Sequence, residues 1–343
     1  MVRTGPVEKV RSEDDAYRGM LRVGVIGTGS MGQNHARIYS EMGCLAGIFD
    51  VDAEAAGKVS RKLGVTPCSN MDDLFRNVDA VSVCTPTHCH YDTAVKAIEL
   101  GKAVLVEKPF TGDVEKARKI CELAENKGVT IASGFVERFN PVVSATRDAI
   151  TSGRFGKVVS IASRRVSSYP FRIRDVGVIM DLAIHDVDVI RYLTRERIDS
   201  VYALGGKMSN DRFEDHATLL LQTASGSTGM VEVNWLTPMK VRKVSITCSD
   251  GYAVMDYMDQ SLQFSTSRMD HIDTSNMASM PIELDTHQVY VRREEPLKRE
   301  LTSFVDAAER GDRSECDGWN ALDNVTICSA ALTSMKKGCR VSV

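Results

Sequence analysis

The chain has 343 residues, 43% of them apolar and 26% charged, with 43 basic against 46 acidic side chains. That length predicts two domains, and that composition excludes a disordered or collagen-like chain. The near balance of charge leaves no basic footprint for nucleic acid and no polybasic face for a membrane.

Met1 to Gly19 is polar and has no clear period, so residues 1–19 are expected to be an N-terminal extension that is poorly ordered or dispensable. The apolar pattern starts abruptly at Leu21, and Leu21 to Ile26 reads as a strand buried in a parallel sheet. Gly27-Thr28-Gly29-Ser30-Met31-Gly32 follows and opens a helix that ends near Gly43. Leu45 to Asp50 is a second predicted strand, and Ala53 to Leu63 is a helix stopped by Gly64. Ala80 to Cys84 is a third strand, Thr93 to Leu100 a helix before Gly101, and Val104 to Val106 a fourth strand. Asp113 caps a helix whose Ala117, Ile120, Cys121 and Ala124 share a face and which ends at Gly128. Val129 to Ala132 is the fifth strand. Strands alternating with helices over residues 20–140 predict a doubly wound parallel sheet.

The period changes after Pro141. A helix over Val142 to about Thr151 is followed by strand-like Val158 to Arg165 and a helix from about Leu182 to Leu193. From Val201 onward the pattern is mostly strands: Ala217 to Gln222, Thr228 to Trp235, Lys243 to Cys248 and Tyr252 to Asp256. Ser265 to Ser279 is polar and Met-rich and reads as a surface excursion. Leu297, Leu301, Phe304, Val305 and Ala308 share one face of a helix near the end. Residues 141–343 are therefore expected to form an α+β domain on a largely antiparallel open sheet. No apolar run approaches the ~18 residues of a membrane span and no apolar signal core is present, so a cytoplasmic protein is expected. Nine cysteines, with no CxxC pair, read as free thiols and argue against a disulfide framework or a zinc site.

Gly27, Gly29 and Gly32 form G-x-G-x-x-G directly after a strand and at the start of a helix. Such a turn lets backbone approach a pyrophosphate, and the helix N-terminus offers it unpaired N–H groups. Gly27, Thr28, Gly29, Ser30, Met31 and Gly32 are the candidate residues for that contact. Asp50 ends the second strand about twenty residues later, where a carboxylate binds ribose hydroxyls. A carboxylate there repels a 2′-phosphate, and the first basic residue beyond it is Lys58, so NAD is favoured over NADP. FAD uses the same fingerprint and stays open as an alternative.

Thr85-Pro86-Thr87-His88-Cys89-His90 follows the third strand, beyond whose carboxyl end ligands sit in such a sheet. Thr85, Pro86 and His90 are candidate cofactor contacts, with simple packing as the competing reading for the histidines. Glu107-Lys108-Pro109 ends the fourth strand, and a lysine facing the crevice is a candidate acid/base group. A surface salt bridge is the alternative for it. Asp181, His185 and Asp188 share one face if their segment is helical, and a carboxylate beside an imidazole can fix its tautomer. A metal set on that face is the other reading, but no third His or Cys lies in register and alcohol oxidation by NAD needs no metal.

Together these residues resemble the glucose–fructose oxidoreductase and inositol dehydrogenase (Gfo/Idh/MocA) family from Leu21 to Val343. The marks are Val25 to Gly32 with His35, Cys84-Thr85-Pro86, Glu107-Lys108-Pro109, Glu137-Arg138-Phe139-Asn140-Pro141, Asp181-x-x-x-His185-x-x-Asp188 and Glu295-Pro296-Leu297. The resemblance implies a Rossmann domain followed by an α/β domain whose open sheet makes a homodimer or homotetramer. It implies hydride transfer between a sugar or polyol carbon and a nicotinamide, with Lys108, Asp181 and His185 in the active site and Glu107 beside the cofactor. Lys108 or His185 would take the hydroxyl proton, and Asp181 would hold the substrate or orient His185.

There is one departure. Asp175-Val176-Gly177-Val178-Ile179-Met180 has a single glycine where many members carry several. This variant resembles the branch that oxidises the 3-hydroxyl of UDP-N-acetylhexosamines. Arg164, Arg165, Tyr169, Arg172 and Arg174 precede the active-site helix, and guanidinium forks suit a diphosphate. A basic surface loop is the alternative. Lys108, Arg165, Tyr169, Arg174, Asp181 and His185 are thus the candidate substrate residues. Two other functions stay open: a dehydrogenase of inositol or a free sugar, and a sensor or scaffold that binds NAD without turnover.

Overall fold

The computed structural model describes residues 21–170, 175–209, 211–268 and 283–343. The leading segment, Arg172, Arg174 and most of the Met-rich stretch lie outside them. Short apolar runs become two sheets. The first holds β1 (Val23–Ile26), β2 (Leu45–Phe49), β3 (Ala80–Val83), β4 (Ala103–Glu107) and β5 (Ile131–Gly134). Its order is β2-β1-β3-β4-β5, and every pair is parallel. All four residues of β1 are buried, as a strand covered by helices on both faces must be. The connecting helices are α1 (Ser30–Glu41), α2 (Ala53–Leu63), α3 (Met71–Asn77), α4 (Thr87–Glu99) and α5 (Val114–Lys127).

Local signals set most of these boundaries. Asp52 accepts the N–H groups of Glu54 and Ala55 at the start of α2, and Gly64 ends it in the left-handed conformation. Asp113 and Gly128 do the same for α5. Some elements differ from expectation, β5 among them, which runs Ile131–Gly134 against the expected Val129 to Ala132. The short helix α3 was not foreseen, and α4 begins at Thr87 rather than Thr93.

A 3₁₀ turn (Val136–Phe139) leads to α6 (Pro141–Thr151), which Asn140 caps and Pro141 opens. The second sheet contains β6 (Val158–Ser168), β7 (Ile198–Gly206), β8 (His216–Thr223), β9 (Thr228–Asn234), β10 (Leu236–Cys248), β11 (Gly251–Asp256), β12 (Ser261–Arg268), β13 (Glu283–Val289) and β14 (Val341–Ser342). Its order is β13-β12-β11-β10-β6-β9-β8-β7-β14, antiparallel except for the β6–β9 pair. A π-helical turn (Ile179–Ala183) runs into α7 (Ile184–Thr194), which lies against the inner face.

Helix α8 (Pro296–Arg310) does not stay with the second sheet. Its Leu297, Leu301, Phe304 and Val305 join Val23, Ala36, Tyr39 and Leu105 in the core of the first. The expected division into 20–140 and 141–343 is therefore not the division of the packed core. Helix α9 (Gly318–Lys337) packs on α5 and β7 and was also unforeseen. Its buried face includes Ala321, Asn324, Ala331 and Ser334, so it carries little apolar contrast to read. All nine cysteines are free thiols. Among the described residues no helix is long and apolar enough to cross a membrane.

Candidate active site

The glycine turn lies between β1 and α1. Gly27 sits at φ +93°, where a Cβ would stand 2.7 Å from the Cys84 carbonyl oxygen. A Cβ on Gly32 would overlap the Gly27 carbonyl, so α1 can cross the turn only with glycine there. Gly29 has open space beside it, and the first turn of α1 carries no side-chain cap and no acidic residue. Its N–H groups are thus available to an anion. Replacing Gly32 with alanine is expected to abolish NADH binding. Fluorescence titration checks this, with circular dichroism to confirm the fold.

Asp50 Oδ2 accepts the Thr28 N–H at 2.6 Å and the Thr28 hydroxyl at 2.7 Å, while Oδ1 accepts the Asp52 N–H at 2.9 Å. Burial works to raise its carboxyl, but these donors outweigh it and hold Asp50 below the usual carboxylate range. The residues present fit a dinucleotide with an unphosphorylated ribose.

Two predicted cofactor contacts, His90 and Glu107, take other roles. His90 is buried, with Nδ1 2.9 Å from the Pro109 carbonyl and Nε2 2.8 Å from the Thr85 carbonyl. Burial, the largest influence, lowers its imidazole despite those carbonyls. The ring lies between these two carbonyls and its one N–H can donate to either, so His90 shapes the crevice between the Thr85-Pro86 turn and Pro109 rather than offering a polar contact to it. Glu107 turns away from the crevice as well. Its carboxylate lies 2.9 Å from His35 Nε2 and accepts the Lys108 N–H at 3.1 Å. Burial pushes this carboxyl up, but His35 and Lys108 prevail and hold it low. Thr85 Oγ1 is buried without a hydrogen-bond partner, and Pro86 starts α4.

Lys108, Asp181 and His185 do come together. Lys108 Nζ donates to Asp181 Oδ1 at 2.6 Å and to the Asp181 carbonyl at 2.9 Å. Asp181 sits in the π-helical turn. His185 follows one turn later. Its Nδ1 is buried and has no partner among the described residues, and the edge of Phe135 packs against its ring. Burial lowers its imidazole well below the ordinary value, and the charges of Lys108, Arg165 and Arg242 add to this. The surroundings of His185 thus favour the neutral ring. Asp181 binds Lys108, so the expectation that it orients His185 is not met.

Asp188 leaves the shared face. It pairs with Arg138, whose Nε is 3.1 Å away, and accepts Asn324 Nδ2 at 2.7 Å. Arg165 is corrected too. It is 1% exposed, donates to Glu137 at 2.6 Å and to Asp186 at 2.8 Å, and lies beneath the site. Side chains alternate along β6, so Arg164 points to the outer face and meets Glu232, while Arg165 points in. The arginines thus form no single cluster on this strand. Tyr169 is half-buried with its ring edge-on to Trp235. Arg174 lies outside the described residues.

Several contributors had no recognisable signal in the sequence. Arg242 donates to Glu137 at 3.0 Å from the neighbouring strand β10. Glu214 accepts the Ile179 N–H at 3.1 Å and holds the π-helical turn by its first residue. Gly177 makes room for it, since a Cβ there would overlap the Glu214 carboxylate. The one retained glycine thus has a steric reason. Asp175 accepts the Thr87 N–H at 3.0 Å and so links the two halves across the crevice.

The sequence matches the family model described as oxidoreductase family, NAD-binding Rossmann fold, over residues 21–135. It matches the GFO/IDH/MocA C-terminal domain over residues 143–254. UDP-N-acetylglucosamine 3-dehydrogenase of Acidithiobacillus ferrooxidans is 31% identical over 298 residues, covering 87% of this chain and 92% of that protein. Inositol 2-dehydrogenase of Rhizobium meliloti is 28% identical over 348 residues, covering 94% and 99%. A solved structure of the Acidithiobacillus enzyme superposes with a TM-score of 0.84 at 28% identity, covering 93% of this chain and 98% of that one. Levoglucosan dehydrogenase in complex with NADH superposes at 0.81 with 20% identity, covering 94% and 99%, a likeness of fold. With the glycine turn, the strand-end lysine and the Asp-x-x-x-His helix in these positions, the chain belongs to the Gfo/Idh/MocA family of oxidoreductases and carries its NAD-binding Rossmann fold.

Proposed function

We propose that the protein oxidises a secondary alcohol of a sugar, and specifically the 3-hydroxyl of a UDP-N-acetylhexosamine. One observation carries the reading: Lys108, fixed by Asp181, stands within electrostatic reach of a neutral His185 with an unused ring nitrogen. An alcohol loses hydride only as its hydroxyl proton leaves, so it needs an acceptor and a donor at the same oxygen. His185 accepts the proton. Lys108 donates a hydrogen bond to the oxygen and stabilises its developing charge. Asp181 holds the lysine ammonium in place by two contacts. NAD, when bound, supplies the hydride acceptor. Gly27 to Gly32, Asp50, Thr85 and Pro86 would hold it. The nucleotide-sugar part of the reading is supported by the Acidithiobacillus relative.

Residues 20–140 would carry the cofactor and the second sheet the substrate, with α8 returning to brace the first. Self-association would use the outer face of the second sheet. The register places Leu220, Met230, Ala162, Ser245 and Val254 in one row across that face. Leu204, Leu220, Met230 and Tyr252 are exposed large apolar residues there. The cytoplasm is the compartment in which such an enzyme meets NAD.

The test is a panel of UDP-sugars, inositols and hexoses with NAD, followed by the absorbance of reduced nicotinamide. Turnover with UDP-N-acetylhexosamines is expected. Turnover with free polyols alone would replace this reading by the second one, which the withdrawal of Arg165 from the ligand face favours. The acidic limb of kcat/KM is expected below about pH 6.5, the ordinary histidine value, because burial depresses His185. The rate is retained while His185 is neutral and falls as acid protonates it. A rate that rises only in the alkaline range would assign the proton to Lys108 instead.

A further inference from the structure

One buried acid has no place in the site just described. Glu300 of α8 is 2% exposed, and neither carboxyl oxygen has a hydrogen-bond partner among the described residues. Leu297, Leu301 and Phe304 of the same helix are packed into the core of the first sheet, which holds the Glu300 carboxyl beneath them. The titratable groups within electrostatic reach of it come from several elements. They are Glu107 of β4, Glu137 and Arg138 of the 3₁₀ turn, Asp188 of α7, Tyr39 of α1, Cys84 after β3 and Cys316 before α9. Arg138 is the one cation among these, and Asp188 already holds it.

Glu107 has what Glu300 lacks. Its carboxylate has His35 Nε2, the Lys108 N–H and the nearby Lys108 charge. Two carboxyls in one poorly solvated region do not both ionise, and the negative charge falls to the partnered one. We propose that Glu300 is a positioning residue that stays protonated and uncharged, so that Glu107 alone carries the charge that holds His35 and the backbone of Lys108. Burial raises the Glu300 carboxyl well above the usual range, and the charge on Glu107 adds to this.

The test compares urea unfolding of the full chain with that of Glu300→Gln between pH 5 and pH 9. It does not depend on the identity of the substrate. A folded-state value above the unfolded one means that the folded chain binds more protons in between. Wild-type stability therefore falls relative to the glutamine variant as pH rises from about 4.3, by about tenfold in the folding constant per pH unit, until the folded value is passed. The expected result is a variant whose stability relative to wild type rises at least about tenfold between pH 5 and pH 8. A variant whose relative stability falls over that range, or a difference that does not change with pH, would overturn the proposal. A second comparison in a Glu107→Gln background tests the shared charge, and the pH-dependent gap is expected to shrink there. An unchanged gap would show that Glu107 is not the partner. If Glu300→Gln does not fold, Glu300→Met gives the same sign test. The infrared spectrum of the wild type at pH 7 must then show a protonated carboxylic acid, and its absence would refute the assignment.

Discussion

Replacing Lys108 with alanine is expected to lower kcat/KM by about 10²–10⁴-fold while NADH affinity stays within about tenfold. The lysine is placed by the strand end on one side and by Asp181 on the other, and its side chain is 19% exposed. Alanine removes both the donor to the substrate oxygen and the positive charge beside His185. It also strands Asp181, which is 7% exposed and has Lys108 as its ion-pair partner. Some loss of stability is therefore expected, and urea unfolding separates it from the loss of turnover. Asp181→Asn keeps the shape and leaves Lys108 without its counter-charge. It is expected to fall between wild type and the alanine variant in rate. Lys108→Arg does not rescue, because a planar guanidinium cannot take the place of a compact ammonium in the same pair. Full turnover by Lys108→Ala would refute the assigned site.

Asp188→Ala is expected to destabilise the fold by about 3–5 kcal/mol, the cost of leaving a buried charge without its partner. Arg138 and Asp188 form a pair whose side chains are 4% and 1% exposed. Asn324 completes the acid and the Glu315 carbonyl accepts from Arg138 Nη1 at 2.8 Å. With the carboxylate gone, the guanidinium keeps that carbonyl and the face of Tyr192, and no counter-charge. The double variant Arg138→Met/Asp188→Leu is expected to recover part of the loss, since apolar replacement of a whole buried pair is often near neutral. Denaturant unfolding of the two singles and the double measures the coupling. The folded fraction of Asp188→Ala is expected to turn over substrate at a rate close to wild type. A single variant that folds normally and loses turnover would return Asp188 to the reacting face, where its spacing from His185 first suggested it.

These two residues illustrate what spacing can and cannot decide. Lys108 was legible because it ends a buried strand of a parallel sheet, and every such strand end faces the ligand crevice. Asp188 misled because a common helical face does not say what stands opposite each position. Here Arg138 stands opposite Asp188, and Lys108 stands opposite Asp181. Arg165 misled for a related reason. Arg164 and Arg165 are adjacent in sequence, and a strand sends such neighbours to opposite faces.

Sequence alone determined the features whose causes are local. The glycine turn follows from backbone conformations open only to glycine, the helix ends from Asp52, Gly64, Asp113 and Gly128, and the alternation of strand and helix from period. The tertiary structure decided what depends on contacts between distant segments. It turned Glu107 onto His35, set Glu214 against Gly177, buried Arg165 between Glu137 and Asp186, and brought α8 with Glu300 back to the first sheet. Periodicity tells which side of an element is apolar and leaves the covering partner open. The partner is settled only when the whole chain packs, and a charged side chain acquires its role from that partner.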